Sequence, residues 1–294
     1  MNVISLFPCM LRMSVPLLLA SLGVLVTAKA GIINMGMEGN MLLGAFVAVL
    51  VTERTGSPLI GLTVAALSGI LYAMVLSLFI IRGRGNHVVC GLGMNFFIIG
   101  MTNVMLDAIW GVRGISEEVQ RLPQVALPFF GKQSVVSLII AITMTAFIWF
   151  MLNKMNFGLR IRAVGENPSA TDSVGLSAIK YQLAAMAFAG ILGALGGAEL
   201  SIGQIGHFLK QMTASRGFLA YSAVIFAGYK PLGVLFAALA IGFLDAFQMR
   251  AQTFVSIPGQ FLLLLPYLVT LLALIGARDR KKPQSLGKPY IRGN

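Results

Sequence analysis

Asn34 and Glu38 stand four residues apart in the run Gly31 to Gly44, which is otherwise glycine, apolar residues and Asn40. A charged side chain in lipid costs about 2.5–3.5 kcal/mol on insertion scales, so such a residue faces a protein interior or a wet path. On a helix, positions four apart share a face. An amide and a carboxylate placed that way can bind the hydroxyls of a polar ligand. A local reading stands beside it, in which Glu38 caps a half-helix or pairs with Lys29. Asn95, between Met94 and Phe96, can serve a hydroxylated ligand or bridge two helices. Asp245 and Gln248, three apart in an apolar run, face together and suit a ligand path or a helix interface. Glu199 follows the small-residue stretch Gly190, Gly193, Gly196 and Gly197, which permits close helix packing. It is expected at a vestibule or as a snorkelled surface residue.

Catalytic chemistry has no such constellation. The sequence holds no phosphate-binding Gly-x4-Gly-Lys-Ser/Thr loop, no His-Glu-x-x-His and no Gly-x-Ser-x-Gly. His87 and His207 lack partners at metal-ligand spacing, and Cys9 and Cys90 form no disulfide framework. No cofactor and no metal are expected on this chain.

Of 294 residues, 57% are hydrophobic and only 11% charged. Soluble domains run near 25% charged. Apolar runs near 13–30, 34–52, 58–81, 88–106, 134–152, 181–202, 217–229, 232–249 and 259–276 predict an all-α polytopic membrane protein. About eight to ten transmembrane or half-spanning helices are expected. Met41 to Val51 and Phe218 to Tyr229 are short of the roughly 20 residues a span needs. Short segments in corresponding halves point to a substrate path near the midplane. Ala28-Lys29-Ala30 resembles a signal-peptidase site, but the apolar run Met13 to Thr27 reads as a retained span.

The net charge of +12 lies in loops and tail, with no aromatic-interleaved patch, and implies no nucleic acid. Basic residues of the 82–87 loop, the 153–180 loop and the tail outnumber those of the alternating loops. The first set is therefore expected in the cytoplasm, with the C-terminus, near anionic lipid. The 107–133 loop is expected outside, with room for a short surface helix. Residues 1–277 form one transmembrane domain in this reading. The basic tail 278–294 is expected to be disordered.

The 153–180 loop carries a second block: Gly158, Arg160, Arg162, Gly165, Glu166, Asn167, Pro168 and Gly175. Asn167 is a good N-cap, Pro168 fits the first helical position and Gly175 suits a C-terminal stop. A short helix over 168–174 is predicted. It can fit a cleft on another protein, with Arg160 and Arg162 pairing to acidic groups there. An ordinary solvated loop is the alternative.

At these blocks the sequence resembles the inner-membrane permease subunits of bacterial ATP-binding-cassette (ABC) importers, in the simple-sugar (ribose-type) and nucleoside branch. The resemblance runs through Gly31–Gly39, Gly158–Pro168, Gly217–Gly228 and Asp245–Gln248. Lys29 and Lys230 depart from that pattern. The resemblance implies a helical permease bundle in the bacterial inner membrane and alternating-access import of a nucleoside or simple sugar. It also implies a second permease subunit, non-identical or identical. Cytoplasmic ATPase subunits carrying ATP and Mg would bind at the 158–176 loop. An extracytoplasmic binding protein or lipoprotein would deliver the ligand. The rival from the residues alone is an ion-gradient-driven secondary transporter, with Glu38 and Asp245 as its only buried acid pair.

Overall fold

The computed structural model describes residues 6–111, 114–127, 131–254, 268 and 282–290. The expected span 259–276 and the tail cations Arg278, Arg280, Lys281 and Arg292 lie outside the described residues. Among the described residues ten α-helices follow in order: α1 (Leu6–Lys29), α2 (Met37–Thr55), α3 (Pro58–Ser77), α4 (His87–Trp110), α5 (Val135–Lys154), α6 (Asn156–Glu166), α7 (Pro168–Ser173), α8 (Ala178–Ala198), α9 (Arg216–Phe226) and α10 (Pro231–Phe254). Wider π turns prolong α3 over Leu78–Arg82 and α8 over Glu199–Ile205. Among the described residues, six helices are long and apolar enough to cross a membrane, and α9 is a shorter apolar helix. The chain is a multi-pass, all-α membrane protein.

A closed backbone ladder is the only economical state for a chain in lipid, which is why spans are helical. What packs the helices is small residues. At Gly44 and Gly197 of the α2–α8 crossing, an added Cβ would collide with the backbone of Ala194 and Met41. Gly69 and Gly190 meet in the same way between α3 and α8. Such approaches let van der Waals contact replace the hydrophobic drive that lipid removes. α8 thus lies at the centre, against α1, α2 and α3, while α10 packs on α1 and α9.

Three local expectations are corrected. The 107–133 region holds no surface helix among its described residues. It holds an antiparallel hairpin, β1 (Gln124–Leu127) with β2 (Gly131–Ser134), Gln124 pairing Ser134. Residues 156–166, read as loop, form α6, whose apolar Phe157 and Ile161 turn inward while Asn156, Arg160 and Glu166 face out. The helix expected from residue 34 begins at Met37. Gly31 adopts a left-handed φ of 86°, and the Ile33 N–H donates to His87 Nδ1 at 3.2 Å. Residues 30–36 therefore form a non-helical entry segment, and Asn34 and Glu38 do not share a helix face.

Candidate functional site

Two places gather the polar residues: a junction inside the bundle and a platform at one end. The junction is built on Glu38, the second residue of α2. Its carboxylate is buried and accepts three hydrogen bonds: from Thr213 Oγ1 at 2.5 Å, from the Ser215 N–H at 2.9 Å and from the Gly217 N–H at 2.7 Å. These donors are the first turn of α9 and the run of turns leading into it. That turn segment needs fixing, because Gln211, Ala214 and Ser215 all hold positive φ without being glycine. Each such residue costs of order 1–3 kcal/mol unless the surroundings impose it. Gly217 lies so close that an added Cβ would strike the Glu38 backbone. Glu38 therefore caps a half-helix, satisfying N–H groups that lipid cannot.

Asn95 of α4 serves the same junction from the other side. Its Oδ1 accepts from the Gly39 N–H and its Nδ2 donates to the Met35 carbonyl, both at 2.8 Å. Tyr72 of α3 donates its hydroxyl to the Gly36 carbonyl at 2.7 Å. Both side chains are spent on the bend that starts α2, so Asn95 bridges helices. Of the candidates at the junction, Asn34 keeps capacity: its Oδ1 is buried and has no hydrogen-bond partner among the described residues. The Asn40 Oδ1 shares that condition, while its Nδ2 holds the Gly190 carbonyl at 2.9 Å.

Asp245 and Gln248 sit apart from this junction, on α10. Asp245 is half-buried and interacts electrostatically with Arg216, the first residue of α9. Arg216 reaches the Met212 carbonyl at 3.5 Å and the Met13 sulfur at 3.8 Å. By sequence Arg216 falls with the cations of the alternating, outer loops, beside Lys210. Its signal was there, an arginine directly before the Gly217 that opens a short apolar segment. Glu199 also differs from expectation: it is buried and hydrogen-bonded by Ser137, which Ser134 supports at 2.9 Å. It ties α8 to the start of α5 and is neither an open vestibule acid nor a snorkelled one.

The platform is α6, α7 and their joints. Asn167 Oδ1 accepts from the Ala170 N–H at 3.0 Å, Pro168 opens α7, and Gly175 turns the chain with φ 84°. Gly158 lets α6 fold against the backbone of Met151 and Leu152 at the end of α5. Gly165 does the same against the Lys29 carbonyl. Arg160 is held within the chain by the Tyr181 hydroxyl at 2.8 Å. Arg162, Glu166, Lys29, Leu159, Ala163 and Pro283 line a cavity of about 360 Å³. Leu159 of α6 and Val174, which follows α7, stand 56% and 72% exposed, and Met155 before α6 is exposed too. Among the described residues, no group of three His, Cys, Asp or Glu side chains could hold a metal.

Sequence comparison gives this architecture relatives. The chain is 31% identical to the guanosine ABC transporter permease protein NupQ of Bacillus subtilis (strain 168), over 97% of this chain and 96% of that protein. It is 32% identical to the "Putative glucose ABC transporter permease protein" TsgC13 of Haloferax volcanii, over 81% of this chain and 74% of that one. It is 24% identical to a second guanosine ABC transporter permease protein of the same Bacillus strain, NupP, over 85% and 75%. No solved structure matches. The family model described as branched-chain amino acid transport system / permease component matches residues 9–274. Six helices among the described residues are apolar and long enough to cross a membrane, and the chain belongs to that family, as a transport subunit of the ABC permease type and not an enzyme.

Proposed function

We propose that the chain forms one half of the membrane channel of an ABC importer for nucleosides. Similarity to NupQ over nearly the whole length of both proteins carries the substrate class. The exposed Leu159–Val174 platform supports a docking role for α6 and α7, whose partner is an ABC ATPase. ATP and its magnesium ion bind that partner. The platform end is then cytoplasmic, in agreement with Lys154 and Lys180, which flank it in the chain, and with the basic Arg82–Arg84 loop read to the same side. A second permease subunit faces this one, as NupP and NupQ exist side by side in one strain. A binding protein or lipoprotein supplies ligand from outside.

The path residues follow from the junction. Asn34, with its open carbonyl oxygen, is the best placed to meet a ligand hydroxyl or ring N–H. Glu38 and Asn95 hold the bend that positions it. Asp245 and Gln248 of α10, with Arg216, form the polar boundary of the same half of the bundle. In alternating access, ATP-driven motion of α7 shifts the entry segment 30–36 and the α2 and α9 starts together.

Uptake of radiolabelled guanosine into proteoliposomes holding this chain, its ATPase and its partner permease tests the reading. Transport needing both ATP and the ATPase is expected. Gradient-driven guanosine uptake by the chain alone would refute it, and uptake of glucose in preference to guanosine would move the substrate to sugars.

A further inference from the structure

The segment 282–290 was expected to be a disordered basic tail. Instead it lies across the joint between the platform and the entry segment. The Ser285 N–H and hydroxyl both donate to the Gly165 carbonyl, at 3.0 and 2.6 Å. The Gln284 N–H donates to Glu166 Oε2 at 3.3 Å. The Gly287 N–H donates to the Gly31 carbonyl at 2.9 Å. The Tyr290 hydroxyl donates to Asp172 Oδ2 at 2.5 Å, and Asp172 Oδ1 accepts from the Ala178 N–H at 2.8 Å. Ser285 is buried. The fit is tight on both sides: Gly287 holds φ 80°, and a Cβ there would come within 2.6 Å of Ile33 Cδ1. A Cβ on Gly31 would strike the Ser285 hydroxyl.

One strap thus touches three bodies: the end of α6, the carboxylate of α7 and the turn that leads into the membrane. Without it, α6 meets that turn through the close approach of Gly165 to Lys29. Van der Waals contact resists compression but yields readily to separation, because each atom pair contributes only about 0.1–0.2 kcal/mol. Hydrogen bonds running in series through the strap resist both. Downstream the line continues through Ile33 to His87 and through Met35 and Gly39 to Asn95, reaching Glu38 and the start of α9.

We propose that residues 284–290 are a transmission strap: Ser285, Gly287 and Tyr290 position the entry segment 30–36 relative to α7, so that movement of α7 in either direction moves the start of α2. The inference rests on the reading that an ATPase docks at α6–α7, and it assigns these residues a positioning role, with no contact to substrate.

The test uses the full chain co-purified with its ATPase, carrying Met35→Cys in a Cys9→Ser, Cys90→Ser background. The rate of maleimide labelling at position 35 is measured without nucleotide and with MgATP trapped by vanadate. Two strap variants are compared: Gly287→Val, which collides with Ile33, and Ser285→Ala with Tyr290→Phe, which removes two hydroxyl donors. With the strap intact, trapping changes the labelling rate about fivefold or more, the lower range of typical coupling. In both variants the change falls below about twofold, while ATPase retention stays as in the parent. Ser285→Thr, which keeps the hydroxyl, retains the full response. An unchanged nucleotide response in both variants overturns the proposal. So does loss of ATPase retention in the variants, which would make the strap part of the docking face. Failure of the parent chain itself to retain an ATPase overturns the docking reading, and the strap's role with it.

Discussion

Replacing Glu38 is the sharpest probe of the junction. In the structure its carboxylate accepts three hydrogen bonds, from Thr213, Ser215 and Gly217, at 2.5 to 2.9 Å. Interhelical hydrogen bonds in membrane proteins average about 0.6 kcal/mol and reach about 1.7, because the unfolded chain in lipid also finds partners. Three such bonds place the cost of Glu38→Ala at about 2–5 kcal/mol. Glu38→Gln keeps one acceptor oxygen and presents an NH2 group to the remaining donor. Its cost is one bond plus a donor–donor clash, about 1–3 kcal/mol. Equilibrium SDS titration in mixed micelles, followed by Trp110 and Trp149 fluorescence, measures both. Guanosine uptake, measured in parallel, falls in proportion to the folded fraction, with the concentration dependence of the remaining transport unchanged. A Glu38→Ala protein within about 0.5 kcal/mol of the parent would refute the cap, since no partly satisfied α9 terminus could be so neutral. Unchanged stability with a raised half-saturation constant would instead make Glu38 a ligand contact.

Gly165→Asp puts a side chain into the Lys29 carbonyl; the variant inserts and retains its spans but loses uptake, and normal uptake would contradict the joint. Asn95→Leu removes the amide from Met35 and Gly39 at nearly constant volume, and the same SDS titration should read a loss of about 1–3 kcal/mol. Gly44→Leu drives α2 off the Ala194 backbone; overpacking of this kind costs about 1–3 kcal/mol or more, seen as a lower midpoint in detergent. Asn34→Leu leaves every hydrogen bond of the junction in place, so stability holds and guanosine uptake drops severalfold; full uptake would remove Asn34 from the path.

Much of the architecture was legible because lipid leaves few options. A run such as Val135–Lys154 must be a helix, and the capping residues Asn167, Pro168 and Gly175 marked α7 to within a residue. The misreadings share one cause. Asn34 and Glu38 looked like one helix face because the run is apolar throughout, yet Gly31 and the His87–Ile33 bond break the helix before Met37. Arg216 looked like a loop cation because hydropathy cannot report that the chain re-enters the bundle at Thr213 to meet Glu38. The tail looked disordered because its composition is polar, whereas Ser285 and Gly287 bind backbone carbonyls of Gly165 and Gly31, partners more than a hundred residues away.

From the order of its residues alone, this protein is committed to a membrane, to a bundle of close-packed helices, to an absence of catalytic side chains and to a capped helix in its largest basic loop. Those properties depend on transfer free energies and local backbone preferences, which act over a few turns of chain. Which polar groups are free and which are spent was decided only by the fold. Glu38, Asn95 and Glu199 each carry a charge or an amide that lipid forbids in isolation, and each is assigned its work by partners from distant helices. Asn34 keeps an Oδ1 without a partner among the described residues. A hydrogen bond acts over about 3 Å, and sequence distance says nothing about which donors the packing of α2, α4 and α9 brings within it.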